Sequence, residues 1–153
     1  HMVIVVSADG KEKIIDELGS EKAIFDKCQK LMDAGKLKEL SQMVEKEGKI
    51  NINQLIELQG QHCKAVEDIL SEAINYLGIA LANVVNLLNP GYVVVDSCLF
   101  DSSVNRNALL EAAKKKFYGL NEEEVQIIFL KHDKYNGAKG AAALVIRDRF
   151  LNT

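Results

Sequence analysis

The sequence is poor in the residues that mark several classes of protein. It has one proline, no tryptophan and ten glycines in 153 residues, which excludes collagen-like and proline-rich disordered chains. Its three cysteines are widely spaced and odd in number, so the chain carries no disulfide framework and no CxxC metal motif. We therefore expect three reduced thiols in a cytoplasmic protein.

The chain also lacks a strong charge of either sign and a long hydrophobic run. Nineteen basic and 22 acidic residues leave a net charge of −3, which excludes a basic nucleic-acid-binding surface across the whole chain. Asn83, Asn86 and Asn89 interrupt the most apolar segment, so the sequence predicts no membrane span. The composition, 48% hydrophobic and 27% charged, predicts a single globular domain over residues 1–153. His1 and Met2 are interpreted as a remnant of an affinity tag or cloning site.

Hydrophobic periodicity predicts helices that alternate with a few strands. Short β-branched or apolar runs predict strands at 3–6, 92–95 and 125–130. Apolar residues at helical spacing predict helices after the cap Ser20, over 37–47, after the cap Asn53, and over 62–88, 104–117 and 141–150. The order helix, strand, helix, strand, helix in the second half favours an α/β layer with parallel strands.

The helix at 62–88 is the strongest local signal. It is about 25 residues, or roughly 38 Å, long, and its second half is so apolar that we expect burial on several sides. Asn89, Pro90 and Gly91 then predict a turn. The strand at 92–95 has no polar alternation, which is typical of a parallel strand covered on both faces.

Polar residues follow that strand directly. Ligands of open α/β sheets bind just beyond the carboxyl ends of strands, which makes Asp96 and Ser97 candidate site residues. In the alternative interpretation, Asp96, Asp101 and Ser102 belong to a polar loop over 96–103 that turns the chain and caps the next helix.

Small residues mark a second candidate segment, 137–143. Glycine and alanine at the start of a helix allow close approach of a phosphate or an adenine, but the segment is neither GxGxxG nor a Walker loop. The same residues equally allow a helix to lie close on a sheet. His62 and His132 have no second ligand at metal spacing, which argues against zinc. His132 and Asp133 are adjacent in sequence, and such neighbours rarely face each other as a catalytic pair.

The residues from 76 to 90, YLGIALANVVNLLNP, together with Val93–Val95, resemble the ROK family of bacterial sugar-responsive repressors and sugar kinases. The segment from Gly137 to Leu144 resembles the glycine-alanine stretch of that family. The resemblance spans about residues 7–150 and implies the helix-rich C-terminal half of an actin-like, ribonuclease-H-like ATPase domain with a short, partly parallel sheet. It also implies a missing N-terminal part that carries the phosphate loop, the catalytic aspartate and, in repressors, a winged helix-turn-helix.

The chain departs from the zinc motif of this family, CxCGxxGCxE. Ser7, Asp9 and Ile14 stand at its three cysteine positions, so the resemblance implies no zinc. Asp16 stands at the glutamate that contacts a sugar hydroxyl, which makes it the sugar-binding candidate although it is one methylene shorter. The alternative is an ordinary solvated or capping aspartate.

A second departure falls beside the nucleotide site of the family. Asp96 and Ser97 replace a pair of glycines there, and a carboxylate close to a polyphosphate is electrostatically unfavourable. We therefore predict that Asp96, Ser97, Gly137 and Gly140 are equivalents of the nucleotide site that do not bind nucleotide.

The leading hypothesis is the effector-sensing and dimerisation domain of a sugar-responsive ROK regulator. It implies no catalysis, no cofactor, a homodimer, a sugar or sugar-phosphate effector, no membrane contact, and DNA binding only through a missing N-terminal domain. The alternative is the C-terminal portion of an ATP-dependent sugar kinase. A third hypothesis is a degenerate module that binds no sugar and only assembles.

Overall fold

Seven helices and four short strands form the part of the chain that the computed structural model describes, residues 3–6, 12–118, 125–133 and 135–146. In chain order they are β1 (Val3–Val6), β2 (Glu12–Ile14), α1 (Ile15–Leu18), α2 (Glu21–Asp33), α3 (Lys38–Glu47), α4 (Ile52–Gly60), α5 (Lys64–Leu88), β3 (Tyr92–Val95), a 3₁₀ helix (Cys98–Asp101), α6 (Ser103–Lys114), β4 (Gln126–Phe129) and α7 (Asn136–Ile146). The fold is α/β and helix-rich, as the sequence predicts.

The strands form two separate pairs. β1 pairs with β2 in antiparallel orientation, and β3 pairs with β4 in parallel, with Val95 opposite Phe129. The predicted strand at 3–6 and the parallel arrangement of 92–95 are confirmed. β2 and α1 were not predicted, because three residues of strand and one turn of helix are too short to show a period.

Local capping signals set the starts of α2 and α4. The Ser20 hydroxyl accepts the Ala23 amide at 3.2 Å, which confirms the predicted cap of α2. The predicted cap Asn53 is wrong, because α4 begins at Ile52 and its cap is Asn51. The Asn51 side chain accepts the Gln54 amide at 3.1 Å and the Gln54 side chain accepts the Asn51 amide at 2.9 Å. This reciprocal capping box needs an Asn and a Gln three residues apart, and Asn53 has no such partner.

The long helix α5 is the centre of the core. It starts two residues later than predicted, since His62 has a positive φ of 59° and lies outside the helix. Its length and composition alone would suit a membrane span, but its apolar stripe is the buried core of this fold. The buried residues of α5 are Val66, Ile69, Leu70, Ala73, Ile74, Gly78, Leu81, Ala82 and Val85.

Two predictions about burial after residue 77 are wrong. Leu87 and Leu88 at the end of α5 are 83% and 67% exposed. β3 alternates between exposed and half-buried residues, so one of its faces is uncovered in this chain. Apolar periodicity shows which residues favour burial, but not which faces have a neighbouring element to cover them.

α5 and α6 pack closely against each other in the core. A Cβ built on Gly78 would lie 2.5 Å from the Ala112 Cβ and 3.2 Å from the Ala113 backbone nitrogen. Real Cβ atoms do not approach so closely, and the missing side chain of Gly78 is therefore what allows the two backbones to meet. This contact gives the glycine in the YLG segment a packing role.

The connection between β3 and α6 differs from the predicted polar loop. Leu99 and Phe100 of the 3₁₀ helix are buried, and the Phe100 ring lies 5.9 Å from the Phe129 ring, centre to centre. Ser102 is the N-cap residue of α6, but its side chain makes no capping hydrogen bond.

The last two helices have boundaries that differ from the prediction. α6 ends at Lys114 rather than near 117, and its predicted stop, Gly119, lies outside the described residues. α7 begins at Asn136, so the segment 136–140, for which the sequence allows either a loop or a helix entry, is helical, and residues 147–150 lie outside the described residues.

Candidate functional site

A cleft with a largely apolar wall opens at the carboxyl end of β3. Its volume is about 330 Å³, and we call it the strand-end cleft. It is lined by Gly19, Ser20, Glu21, Ile24, Ile52, Leu77, Val95, Asp96, Ser97, Leu99 and Phe100. Two of the predicted site residues, Asp96 and Ser97, therefore lie in a cleft at the place where α/β proteins bind ligands.

Asp96 and Ser97 both have partners within the fold. His132, three residues after β4, places its Nδ1 atom 3.0 Å from the Asp96 Oδ1 atom, and its backbone amide donates to the Asp101 carboxylate at 3.3 Å. The Ser97 hydroxyl accepts the Leu99 amide at 3.3 Å. The Asp96 and His132 side chains are 29% and 41% exposed, so solvent reaches both of them. The ends of the two parallel strands are thus tied together by a polar side-chain contact.

A second cleft of about 560 Å³ adjoins the first, since Glu21 and Ile52 line both. Its wall includes the Phe25 ring, Cys98 and His132. The Cys98 thiol donates to the Glu21 carboxylate at 3.4 Å. Burial, and then this hydrogen bond, raises the pKa of the Cys98 thiol to about 11, so Cys98 is protonated and a poor nucleophile at neutral pH.

The other predicted site residues are not among those lining either cleft. Asp16 is exposed in α1, one turn before Ser20, whose hydroxyl donates to the Asp16 main-chain carbonyl. Gly137 and Gly140 are exposed in α7 and flank Lys139, which pairs with Asp133. The structure therefore brings Asp96 and Ser97 together at a cleft and leaves these three on the surface.

The described residues include no group of three His, Cys, Asp or Glu side chains arranged to hold a metal ion. Ser7 and Asp9, two of the positions aligned with the zinc motif, lie outside the described residues. The burial that raises the pKa of Cys28 to about 11 likewise disfavours the thiolate that a metal needs.

A larger cavity of about 660 Å³ lies elsewhere, between α4, α5 and α6. On its wall His62 faces Glu67 at 3.2 Å and Lys64 pairs with Asp68 at 2.8 Å. The strand-end cleft is the better candidate site because it lies at the carboxyl end of a strand, where α/β proteins bind ligands.

Sequence reasoning missed His132 as the partner of Asp96. The sequence suggests Asp133 as the neighbour of His132, whereas the structure pairs His132 with a residue 36 positions earlier. A signal was present, because two strands predicted to be parallel place the residues that follow them at the same edge.

Helices packed on a parallel strand pair, with a cleft at the carboxyl ends of the strands, make an α/β fold. The crystal structure of the ROK hexokinase from Thermus thermophilus has this fold and matches the chain with a TM-score of 0.67 at 20% identity. The match covers 97% of this chain and 47% of that one, so the chain spans about half the length of this solved relative. The predicted fold class is confirmed.

The chain belongs to the ROK family. The model of that family matches residues 6–148, nearly the whole chain, which confirms the resemblance predicted from the YLG segment. No curated protein matches the chain.

Proposed function

We propose that the chain is the effector-sensing and dimerisation domain of a sugar-responsive ROK transcriptional regulator and has no catalytic activity of its own. In this proposal residues 1–153 form one domain of a longer cytoplasmic protein. The effector is a sugar or sugar phosphate, the domain forms a homodimer, and DNA is bound by an N-terminal domain that is not part of this chain.

The observation that carries the proposal is the contact between Asp96 and His132. The ROK resemblance implies a glycine pair beside the nucleotide at positions 96 and 97, where a bare backbone can approach phosphate. Here a carboxylate stands at that place and the His132 ring lies 3.0 Å from it. A polyphosphate entering the strand-end cleft would meet like charge and would have to break this contact, which disfavours ATP binding.

The effector contact is assigned to Asp16. Its carboxylate is exposed in the first turn of α1, and its main-chain carbonyl accepts the hydroxyl of Ser20, a residue of the strand-end cleft. A carboxylate in this position suits the hydroxyl groups of a sugar, which donate hydrogen bonds to carboxylate oxygens.

One observation favours the alternative, the C-terminal portion of an ATP-dependent sugar kinase. The solved relative with this fold is a hexokinase. A kinase would need residues beyond this chain, because the resemblance places the phosphate loop and the catalytic aspartate in the N-terminal half.

Titration calorimetry with Mg-ATP separates the two functions when it is done on the full-length protein that contains this chain, because only that protein would include the phosphate loop of a kinase. We expect no heat of binding, and a clear signal at micromolar concentration would overturn the proposal in favour of the kinase.

A thermal-shift screen of sugars and sugar phosphates tests the effector. We expect a stabilising ligand whose effect is lost in Asp16→Asn and retained in Asp26→Asn, a matched change at an exposed aspartate of α2. Loss in both variants, or in neither, would contradict the assignment of Asp16.

A further inference from the structure

The cavity between α4, α5 and α6 is separate from the two clefts at the strand ends, and we call it the three-helix cavity. None of the residues that line it lines either cleft. Its volume of about 660 Å³ lies within the range of roughly 300–1,000 Å³ that is typical of small-molecule sites. The three-helix cavity is therefore large enough to hold a ligand of its own.

One part of the cavity wall is apolar. It consists of residues from all three helices, namely Ile56, Ile74, Val104 and Ala108. An apolar group placed against these side chains would leave water and remove their own surface from water. The lining residues include no aromatic side chain, which favours an aliphatic ligand body over a stacked ring.

A chain of hydrogen bonds fixes the polar part of the wall. The side chain of Asn105 is fully buried, and its Oδ1 atom accepts the Gln59 Nε2–H at 2.8 Å. Its Nδ2 atom donates to the Leu99 carbonyl at 2.9 Å. Gln59 and Asn105 both line the cavity. The Gln59 carboxamide oxygen has no hydrogen-bond partner among the described residues, so it can accept a hydrogen bond from a ligand.

The charged side chains of the wall are acidic on balance. Two carboxylates, Glu67 and Asp68, line the cavity together with one ammonium, Lys64. The wall thus carries one net negative charge with His62 neutral and no net charge with His62 protonated. The contacts with His62 and Lys64 use one oxygen of each carboxylate, and the second oxygen has no partner among the described residues.

The ion pair of Lys64 with Asp68 does not close the site to another cation. Its two side chains are 79% and 62% exposed, so solvent weakens the pair and a ligand cation can displace Lys64 easily. A wall with free carboxylate oxygens and a net negative charge favours a positively charged ligand.

We propose that the three-helix cavity binds an organic cation in which a primary ammonium group is attached to an aliphatic body. The ammonium donates to acceptors among the Glu67, Asp68 and Gln59 oxygens, and the body packs against the apolar wall. An ammonium has three N–H donors, so two carboxylates and one carboxamide oxygen can satisfy it. An uncharged or anionic ligand of the same length gains the apolar contacts but not the charge-assisted hydrogen bonds. The proposal does not rest on the proposed function, because it concerns a different cavity and a different class of ligand.

Hexylamine, hexanol and hexanoate test the class of ligand, because they share one aliphatic body and differ in the charge of the head group. In an NMR titration of the isotope-labelled chain we expect hexylamine to bind in about the millimolar range, as is usual for a ligand of so few atoms. The amide shifts should map to residues that line the cavity. We expect hexanol and hexanoate to bind at least about 10-fold more weakly, because they lack the hydrogen bonds of an ammonium to carboxylate.

Four outcomes of this titration would overturn the proposal. They are hexylamine that does not saturate, shifts that map outside the cavity, hexanol that binds as tightly as hexylamine, and hexanoate that binds more tightly.

Opposite charges at one exposed position of the wall give a matched pair of variants. Val104 lines the cavity and is 64% exposed, so both Val104→Lys and Val104→Glu should fold, which circular dichroism checks. Val104→Lys should weaken hexylamine binding at least about threefold and Val104→Glu should strengthen it, because the added charge lies on the wall. Equal affinities, or the reverse order, would contradict the proposal.

Removing a carboxylate tests the ammonium contact directly. Glu67→Gln should weaken hexylamine binding about 10-fold, since it replaces a charge-assisted hydrogen bond by a neutral one. Asp26→Asn makes a similar change on α2, where Asp26 does not line the cavity, and should leave the affinity unchanged. Equal effects in both variants would refute the contact. These measurements use neither sugar nor ATP, so their failure is distinct from a failure of the proposed function.

Discussion

Gly78→Ala is the sharpest test of the packing between α5 and α6. The new methyl group would lie 2.5 Å from the Ala112 Cβ and 3.1 Å from the Ala112 carbonyl carbon. Part of this obstacle is backbone, which cannot turn aside as a flexible side chain does. The two helices would have to separate, and α5 contributes seven of the 19 buried residues in the described core.

Two opposing effects set the size of the change. Alanine favours the helix interior over glycine by about 1 kcal/mol. Overpacking a well-packed core costs typically 1–3 kcal/mol, and a rigid backbone neighbour places this site near the upper end of about 3 kcal/mol. We therefore expect Gly78→Ala to lower the free energy of unfolding by roughly 1–2 kcal/mol, which corresponds to a fall in Tm of about 3–6 °C.

Thermal and urea unfolding measure this change, and Gly60→Ala is the matched control. Gly60 is the last residue of α4, and a Cβ there meets no atom within 4 Å. The control should be neutral or more stable by up to about 1 kcal/mol, because it gains helix propensity without a clash. A Gly78→Ala protein as stable as Gly60→Ala would refute the role of Gly78 in helix contact.

Two further predictions concern the cap of α4 and the thiol beside the clefts. Asn51→Ala should lower the unfolding free energy by about 1 kcal/mol in urea denaturation, because it breaks the capping box. Asn53→Ala should be nearly neutral, and the reverse order of stability would contradict the assignment of Asn51 as the cap. The raised pKa of Cys98, about 11, predicts slow alkylation of its thiol by iodoacetamide near about pH 8. It also predicts that Cys98 stabilises the folded protein fully below about pH 9, and that this contribution to the unfolding free energy is lost as pH rises through about 11. Glu21→Gln should lower this pKa and speed alkylation as followed by mass spectrometry, while Glu17→Gln should not; equal rates in both variants would exclude the carboxylate of Glu21 as a cause.

Local sequence signals were sufficient to predict most of the helices and to place the ends of several of these helices. Ser20 caps α2 through its own hydroxyl, and Gly48 ends α3 with a φ of 83°, a conformation that glycine adopts without strain. The period of the apolar residues from 64 to 88 likewise predicts α5 almost to the residue. These features depend on residues within one or two turns, which the sequence displays directly.

The candidate site was predicted in part for the same reason. Asp96 and Ser97 follow a strand immediately, so their place at a strand end is a local property. The contact between Asp96 and His132 was not predicted, because the 3₁₀ helix, α6 and β4 separate the two residues in the sequence. Asp16 carries a prediction based on family resemblance, and its role as a sugar contact remains a prediction.

By itself the sequence determined most of the helices and strands and the family, because the elements show short hydrophobic periods and the family is recognised from one contiguous segment around Gly78. The tertiary structure decided which faces are covered and which distant residues meet. β3 and β4 pair in parallel, and this pairing brings His132 to Asp96. The same strand pair leaves Val94 and Ile128 exposed, because a run of apolar residues predicts a preference for burial but cannot supply the neighbour that would cover it.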